Sequence, residues 1–193
     1  MFVIFGVFGC SSPDSSGTTK PPPSTTPLSA ELGVFVDEGM PLKPIAEGDM
    51  VPLWNATQGG HVLLVGARVK GLSGKIAQFR GRLRDPKTNE IVAEETRTVG
   101  LSTAPDDATV LIPDVTLRSQ VANIPVCPDS LGRDMLSPYL LELVVTDPNY
   151  ATSVTIHATV TPSCSAVPAS DQASCACECA AGYTLGKCAS AVK

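Results

Sequence analysis

Between Leu32 and Thr161 the apolar positions recur at every second residue in short runs, and Gly, Pro, Asp and Asn interrupt them at close intervals. A period of two puts alternate side chains on opposite faces of an extended chain, whereas a helix would repeat at three and four. Leu63, Val65, Ala67 and Val69 share one face while Arg68 and Lys70 fall on the other, which predicts a half-buried strand. After a turn at Gly71–Gly74, Ala77, Phe79, Gly81 and Leu83 continue a buried face and leave Gln78, Arg80, Arg82 and Arg84 outside. Tyr139, Leu141, Leu143 and Val145 form a further apolar face, Asp147-Pro148-Asn149-Tyr150 turns the chain, and Val154, Ile156, Ala158 and Val160 follow on a second strand. Weaker strands over 32–37, 49–54 and 108–118 bring the expected number to roughly seven to nine, with no helix in this body.

The outward row of arginines at 80, 82 and 84 would attract anions if it stood alone. Asp85-Pro86-Lys87-Thr88-Asn89 reads as a hairpin loop, however, and pairing across it sets Glu90 opposite Arg84 and Glu94 opposite Arg80, so that cross-strand ion pairs neutralise the row. The closing hairpin at 139–160 resembles the one that ends immunoglobulin-like domains. The expected fold is therefore all-β, a single immunoglobulin-like or fibronectin-like β-sandwich over residues 31–163.

Composition agrees with strands: aromatic residues make up 5% of the chain and charged residues 17%, while Val, Thr, Gly and Pro are abundant. A net charge of −5 gives no electrostatic reason to approach nucleic acid, so no nucleic-acid partner is expected.

At the N-terminus, residues 1–9 are almost wholly apolar and end at Val7-Phe8-Gly9-Cys10, with a polar stretch directly behind. The pattern resembles a bacterial lipobox, in which a signal peptidase cuts before the cysteine. The resemblance implies a signal peptide at 1–9, shorter than the usual kind, acyl chains on Cys10, and, with Ser11 following, sorting to the outer membrane. Each buried CH2 of such chains contributes about 0.8 kcal/mol, enough in sum to hold a protein on a bilayer without a spanning helix. Residues 10–30, rich in Ser, Thr and Pro, read as a disordered tether. The run from Gly48 to Leu72 is in turn similar to segments of bacterial surface lipoproteins, a likeness that implies no particular activity.

Of seven cysteines, setting Cys10 aside as a lipid carrier leaves an even number, which suits three disulfides in an oxidising compartment. A final hairpin at 139–160 would bring Cys164 beside the loop carrying Cys127, predicting a Cys127–Cys164 bridge. The tail, 164–193, contains Cys177-Glu178-Cys179, then Gly182-Tyr183 and Cys188, and this spacing resembles the closing half of an epidermal-growth-factor-like module. That resemblance implies a Cys179–Cys188 bridge around a hairpin at Gly182 and leaves the partners of Cys175 and Cys177 open. Cys175, Cys177 and Cys179 are spaced more closely than the cysteines of structural zinc sites, so no metal is expected there.

Chemistry has few places to reside, because His61 and His157 are the only histidines. His157 lies among threonines on an outer strand face. His61 follows Gln58-Gly59-Gly60 at the start of a strand, just beyond Trp54, and would stand at the end of the fold where loops cluster and binding modules bind. Asp106, Asp107 and Asp114 lack the spacing of a calcium loop. No nucleophile elbow, phosphate loop, zinc-protease helix or dinucleotide fingerprint is present in the sequence. The expectation is a non-catalytic envelope lipoprotein without a cofactor, attached to the membrane through its lipid and serving as a surface interaction or structural module. A small-ligand or metal-binding role for Trp54, Gln58 and His61 is the alternative, and a hydrolase combining a serine, His61 and an aspartate the remote one.

Overall fold

The alternation read at 63–69 and 77–83 becomes two long strands, consecutive in the chain but not paired with each other, in a computed structural model that describes residues 20–188. Ten strands are formed: β1 (Ser29–Val34), β2 (Lys43–Pro44), β3 (Asp49–Asn55), β4 (His61–Lys70), β5 (Ile76–Arg84), β6 (Ile91–Thr103), β7 (Leu111–Pro113), β8 (Ala122–Cys127), β9 (Tyr139–Asp147) and β10 (Thr152–Ser163). One short helix, α1 (Gln172–Glu178), follows in the tail. The expected leader 1–9, Cys10 and the first part of the tether lie outside the described residues. β1 starts at Ser29, inside the segment read as tether, and the Lys20 ammonium sits 3.8 Å over the Tyr150 ring, so the chain is already against the body there.

The sandwich expected from the strand pattern is not what forms. Seven strands close into a barrel in the cyclic order β4-β3-β10-β9-β5-β6-β7 and back to β4, with β1, β2 and β8 outside the ring. Two seams accomplish the closure. β3 pairs parallel with β10 over Asp49–Pro52 and then antiparallel with β4 from Leu53 to Asn55, so one short strand bridges two neighbours. β7 does the same at the other side, joining the end of β6 to Val69 of β4. Closure pairs the backbone groups that a sandwich would leave on open edges.

Leu53, Leu63, Phe79, Leu83, Leu141 and Leu143 are fully buried, as the period-two reading of these strands requires. β4 departs from it by burying both faces. Leu63, Val65, Ala67 and Val69 enter the main core, whereas Leu64 turns the other way into a second cluster with Phe35, Leu42 and Val121. The half-buried strand expected here is thus a central one, covered on its outer face by the β1–β2 connection and the segment before β8.

The arginine row is neutralised, but in a different register. Arg82, not Arg80, stands opposite Glu94, and Ile91 rather than Glu90 lies across from Arg84, with a bulge between Leu83 and Arg84. Glu94 accepts from Arg80 and Arg82, and Glu142 on β9 accepts from Arg82 and Arg84. The carboxylates alternate with the guanidiniums from both flanking strands.

Three disulfides tie the tail down: Cys127–Cys179, Cys164–Cys175 and Cys177–Cys188. The expected Cys127–Cys164 bridge is not made: Cys164 bonds to Cys175 within α1, and Cys127 to Cys179 directly after it. Nor is the Cys179–Cys188 bridge implied by the growth-factor resemblance, since a helix places Cys177, not Cys179, toward Cys188.

Candidate binding site

β3 and β4 are joined at one end of the barrel by the tight reversal Ala56–Gly60, where the Ala56 N–H donates to the Gly60 carbonyl at 3.0 Å and the Gly59 N–H to the Ala56 carbonyl at 3.1 Å. Gly60 has φ +76°, and a Cβ on it would stand 2.4 Å from the Cys127 carbonyl oxygen, so only glycine fits the approach of this turn to β8. The next residue, His61, is thereby pressed inward with 6% of its surface exposed.

Trp54 and His61, singled out from the sequence, line one cleft of about 360 Å³, with Gln58 at its exposed rim. Arg97, Arg118 and Asn123 complete it from β6, the turn before β8, and β8 itself. The Arg118 guanidinium lies 4.4 Å from the Trp54 ring centre, a cation–π contact, and Phe35 meets the indole edge-on at 5.4 Å. The indole N–H donates to the Phe35 carbonyl at 3.2 Å, so Trp54 is held on three sides while remaining half-buried. Arg118 reaches Glu38 with Nη2 at 3.1 Å, but its buried Nε has no hydrogen-bond partner. Arg97 is engaged by Glu95 at 2.9 Å and by the Ser119 carbonyl.

On its other side His61 faces α1. Nε2 lies 3.3 Å from Oε2 of Glu178, yet the approach lacks hydrogen-bonding geometry, and neither ring nitrogen has a partner. Burial pushes the imidazole below its ordinary range, and the carboxylates of Glu178 and Asp171 pull against that shift. Glu178 in turn accepts from the Ser174 hydroxyl through Oε1 at 3.1 Å. The carboxylate therefore stands between hydroxyl and imidazole, the reverse of the order in which a histidine would take a proton from a serine nucleophile. A second cleft of about 310 Å³ opens here, lined by His61, Glu178, Asp171, Ser174 and Asn55 among others.

No protein-family model, curated protein or solved structure matches the chain. What this end can bind follows from its own side chains. The first cleft offers donors around an aromatic wall, and the second offers an imidazole and two carboxylates.

The remaining candidates are occupied or apart. His157 is exposed on β10. Asp106 binds Arg68, Asp107 binds Lys70 and Thr109, and Asp114 binds Thr116, so the three carboxylates serve separate local contacts. Cys175, Cys177 and Cys179 are distributed over three different disulfides, which leaves no thiolate among them. Sequence reasoning missed Glu178, Asp171, Arg97 and Arg118, whose proximity depends on how the tail and the β7–β8 connection dock.

Proposed function

We propose that the chain is a non-catalytic interaction module of the bacterial cell envelope, exported, held on the outer membrane by lipid on Cys10, and using its Trp54–His61 end to contact a ligand or partner. The observation that carries export is the complete pairing of the six cysteines from Cys127 to Cys188, a state that persists where thiols are not kept reduced. The lipid anchor rests on the Gly9-Cys10 pattern and the Ser/Thr/Pro-rich stretch after it.

Binding at the Trp54–His61 end is favoured by buried polar atoms that the protein itself leaves without partners, Arg118 Nε and both nitrogens of His61. Unsatisfied buried polar groups cost about 1–3 kcal/mol each, a cost that a ligand hydrogen-bonding to them would relieve.

The test is fractionation of cells producing the chain and its Cys10→Ala variant. The wild type should partition with membranes and carry acyl mass, and C10A should be released as soluble exported protein. Recovery of both in the same fraction without acyl mass would overturn the envelope reading.

A further inference from the structure

Two of the three disulfides touch. The sulfurs of Cys164, Cys175 and Cys179 all lie within 4.8 Å of one another, although Cys164 and Cys175 belong to one bridge and Cys179 to the other. α1 brings this about, because Cys175 and Cys179 are four residues apart, with the Cys179 N–H donating to the Cys175 carbonyl at 3.0 Å, and so share a helix face. The 3-10 turn Cys164–Ala166 behind β10 supplies the third sulfur. Access to the four cysteines is unequal. Cys175 and Cys179 are wholly buried and Cys127 nearly so, whereas Cys164 is only part-buried.

We propose that Cys164 is the port of a thiol–disulfide exchange site, through which a small dithiol opens the buried Cys127–Cys179 bridge. Exchange proceeds by attack of a thiolate on a disulfide sulfur, and access decides which sulfur is attacked. A thiolate of the dithiol attacks Sγ of Cys164, and Cys175 leaves and takes up a proton. The second sulfur of the dithiol then attacks the first, closing a cyclic disulfide and releasing Cys164 as thiolate. The dithiol is thereby oxidised and the Cys164–Cys175 bond reduced. Burial disfavours an ionised thiol, so the charge resides on Cys164 rather than Cys175. The Cys164 thiolate attacks Sγ of Cys179, within 4.8 Å. A Cys164–Cys179 bond forms, the Cys127–Cys179 bond breaks, and Cys127 leaves with the electron pair and is protonated. A second dithiol opens the Cys164–Cys179 bond as the first opened its predecessor, so that two dithiols reduce two disulfides. Loss of the Cys127–Cys179 bond frees the end of α1 from β8 and removes the covalent tie that holds Glu178 beside His61.

The exchange site rests on the same three bridges as the export reading, and on neither the lipid nor a ligand. The oxidised full chain carrying Cys10→Ser, so that no free thiol is present at the start, is mixed with dithiothreitol under native conditions. Samples are quenched with iodoacetamide at intervals and their disulfides mapped by mass spectrometry. Cleavage at acidic residues puts Cys164, Cys175 and Cys179 on different peptides, because Asp171 and Glu178 lie between them. The expected intermediate has Cys164 linked to Cys179 and Cys127 alkylated. Alkylation of both Cys164 and Cys175 while Cys127–Cys179 persists, with no Cys164–Cys179 species, would overturn the exchange site and leave the export reading standing. A chain isolated without the three bridges would sink both. In the Cys164→Ala/Cys175→Ala variant, reduction of Cys127–Cys179 should slow at least about tenfold, because the accessible sulfur is gone. A bridge that served stability alone would instead leave that rate unchanged or raise it when removed. If the variant fails to fold, the intermediates trapped from the chain with all six cysteines decide.

Discussion

His61 and Glu178 face each other at 3.3 Å because the strand opposite the first and the helix carrying the second are one covalent unit. Cys127 is the register partner of His61 in the β4–β8 pairing, and its disulfide goes to Cys179, the residue after Glu178. The cleft between the Ala56–Gly60 turn and α1 is therefore a product of oxidation as much as of strand pairing.

Removing that bridge should cost more than removing the peripheral one. In the loop-entropy description, cross-linking across 52 residues contributes about 4 kcal/mol and across 11 residues about 3 kcal/mol. Cys127 and Cys179 are also buried. Urea unfolding of the Cys127→Ala/Cys179→Ala variant should show a larger loss than that of Cys177→Ala/Cys188→Ala. Equal losses would contradict the docking role assigned to the longer bridge.

Gly60→Ala should destabilise more than Gly59→Ala. Both glycines have left-handed φ, a conformation that costs an alanine about 1–2 kcal/mol. Only at Gly60 does the new Cβ also meet backbone, at 2.4 Å from the Cys127 carbonyl, while at Gly59 nothing lies within 4 Å. Denaturant midpoints of the two variants give the comparison directly.

Arg82→Ala should cost about 1–3 kcal/mol and Arg80→Ala less than about 1 kcal/mol, by the distinction between part-buried and exposed ion pairs. Arg82 is 14% exposed and lies between Glu94 and Glu142, whereas Arg80 is 45% exposed and reaches only Glu94. Losing Arg82 leaves two carboxylates without their shared partner. Thermal unfolding of the two variants at moderate salt measures the difference.

Much of the barrel wall was legible in the sequence, and its closure was not. Tyr139, Leu141, Leu143 and Val145 alternate cleanly because β9 has a core on one side only, and the hairpin with β10 follows from the turn at Asp147–Tyr150. Closure depends instead on where β3 changes partners at Leu53 and on β7, three residues long, too short to carry a period. The Arg80–Arg84 register was misplaced because the hairpin sets Arg84 opposite Ile91 rather than Glu90 and a bulge beside Leu83 shifts the pairing by one residue more. Helix α1 was hidden by its sequence, Gln172-Ala-Ser-Cys-Ala-Cys-Glu, whose closely spaced cysteines suggest loops rather than a helical face. His61 announced itself through the glycines before it. Its partner Glu178 could have been found only from knowing that Cys127 bonds Cys179.

Asp147 provides an acid-sensitive contact at the turn between β9 and β10. Burial alone would raise its carboxyl, but hydrogen bonds from Ser73, at 2.7 Å from the backbone N–H, and from Asn149, at 2.9 Å, outweigh that and hold it below the usual carboxylate range. Its folded form thus ionises more readily than its unfolded form, which titrates near about 3.9. The contribution is complete above the unfolded value and is lost as pH falls through the lower folded one. Asp147→Asn should be less stable at neutral pH and should flatten the decline of unfolding free energy on acidification below about pH 4. A parallel decline in both proteins would contradict it.

Acylation at Cys10 and closure of the tail by disulfides each leave a mark on the mass of the exported chain. Intact mass of the native protein from the membrane fraction, before and after reduction, tests this directly. The expected result is a chain beginning at an acylated Cys10 that gains six hydrogens on reduction, in keeping with three bridges. An unacylated chain whose mass does not change on reduction would contradict both the anchor and the stapled tail.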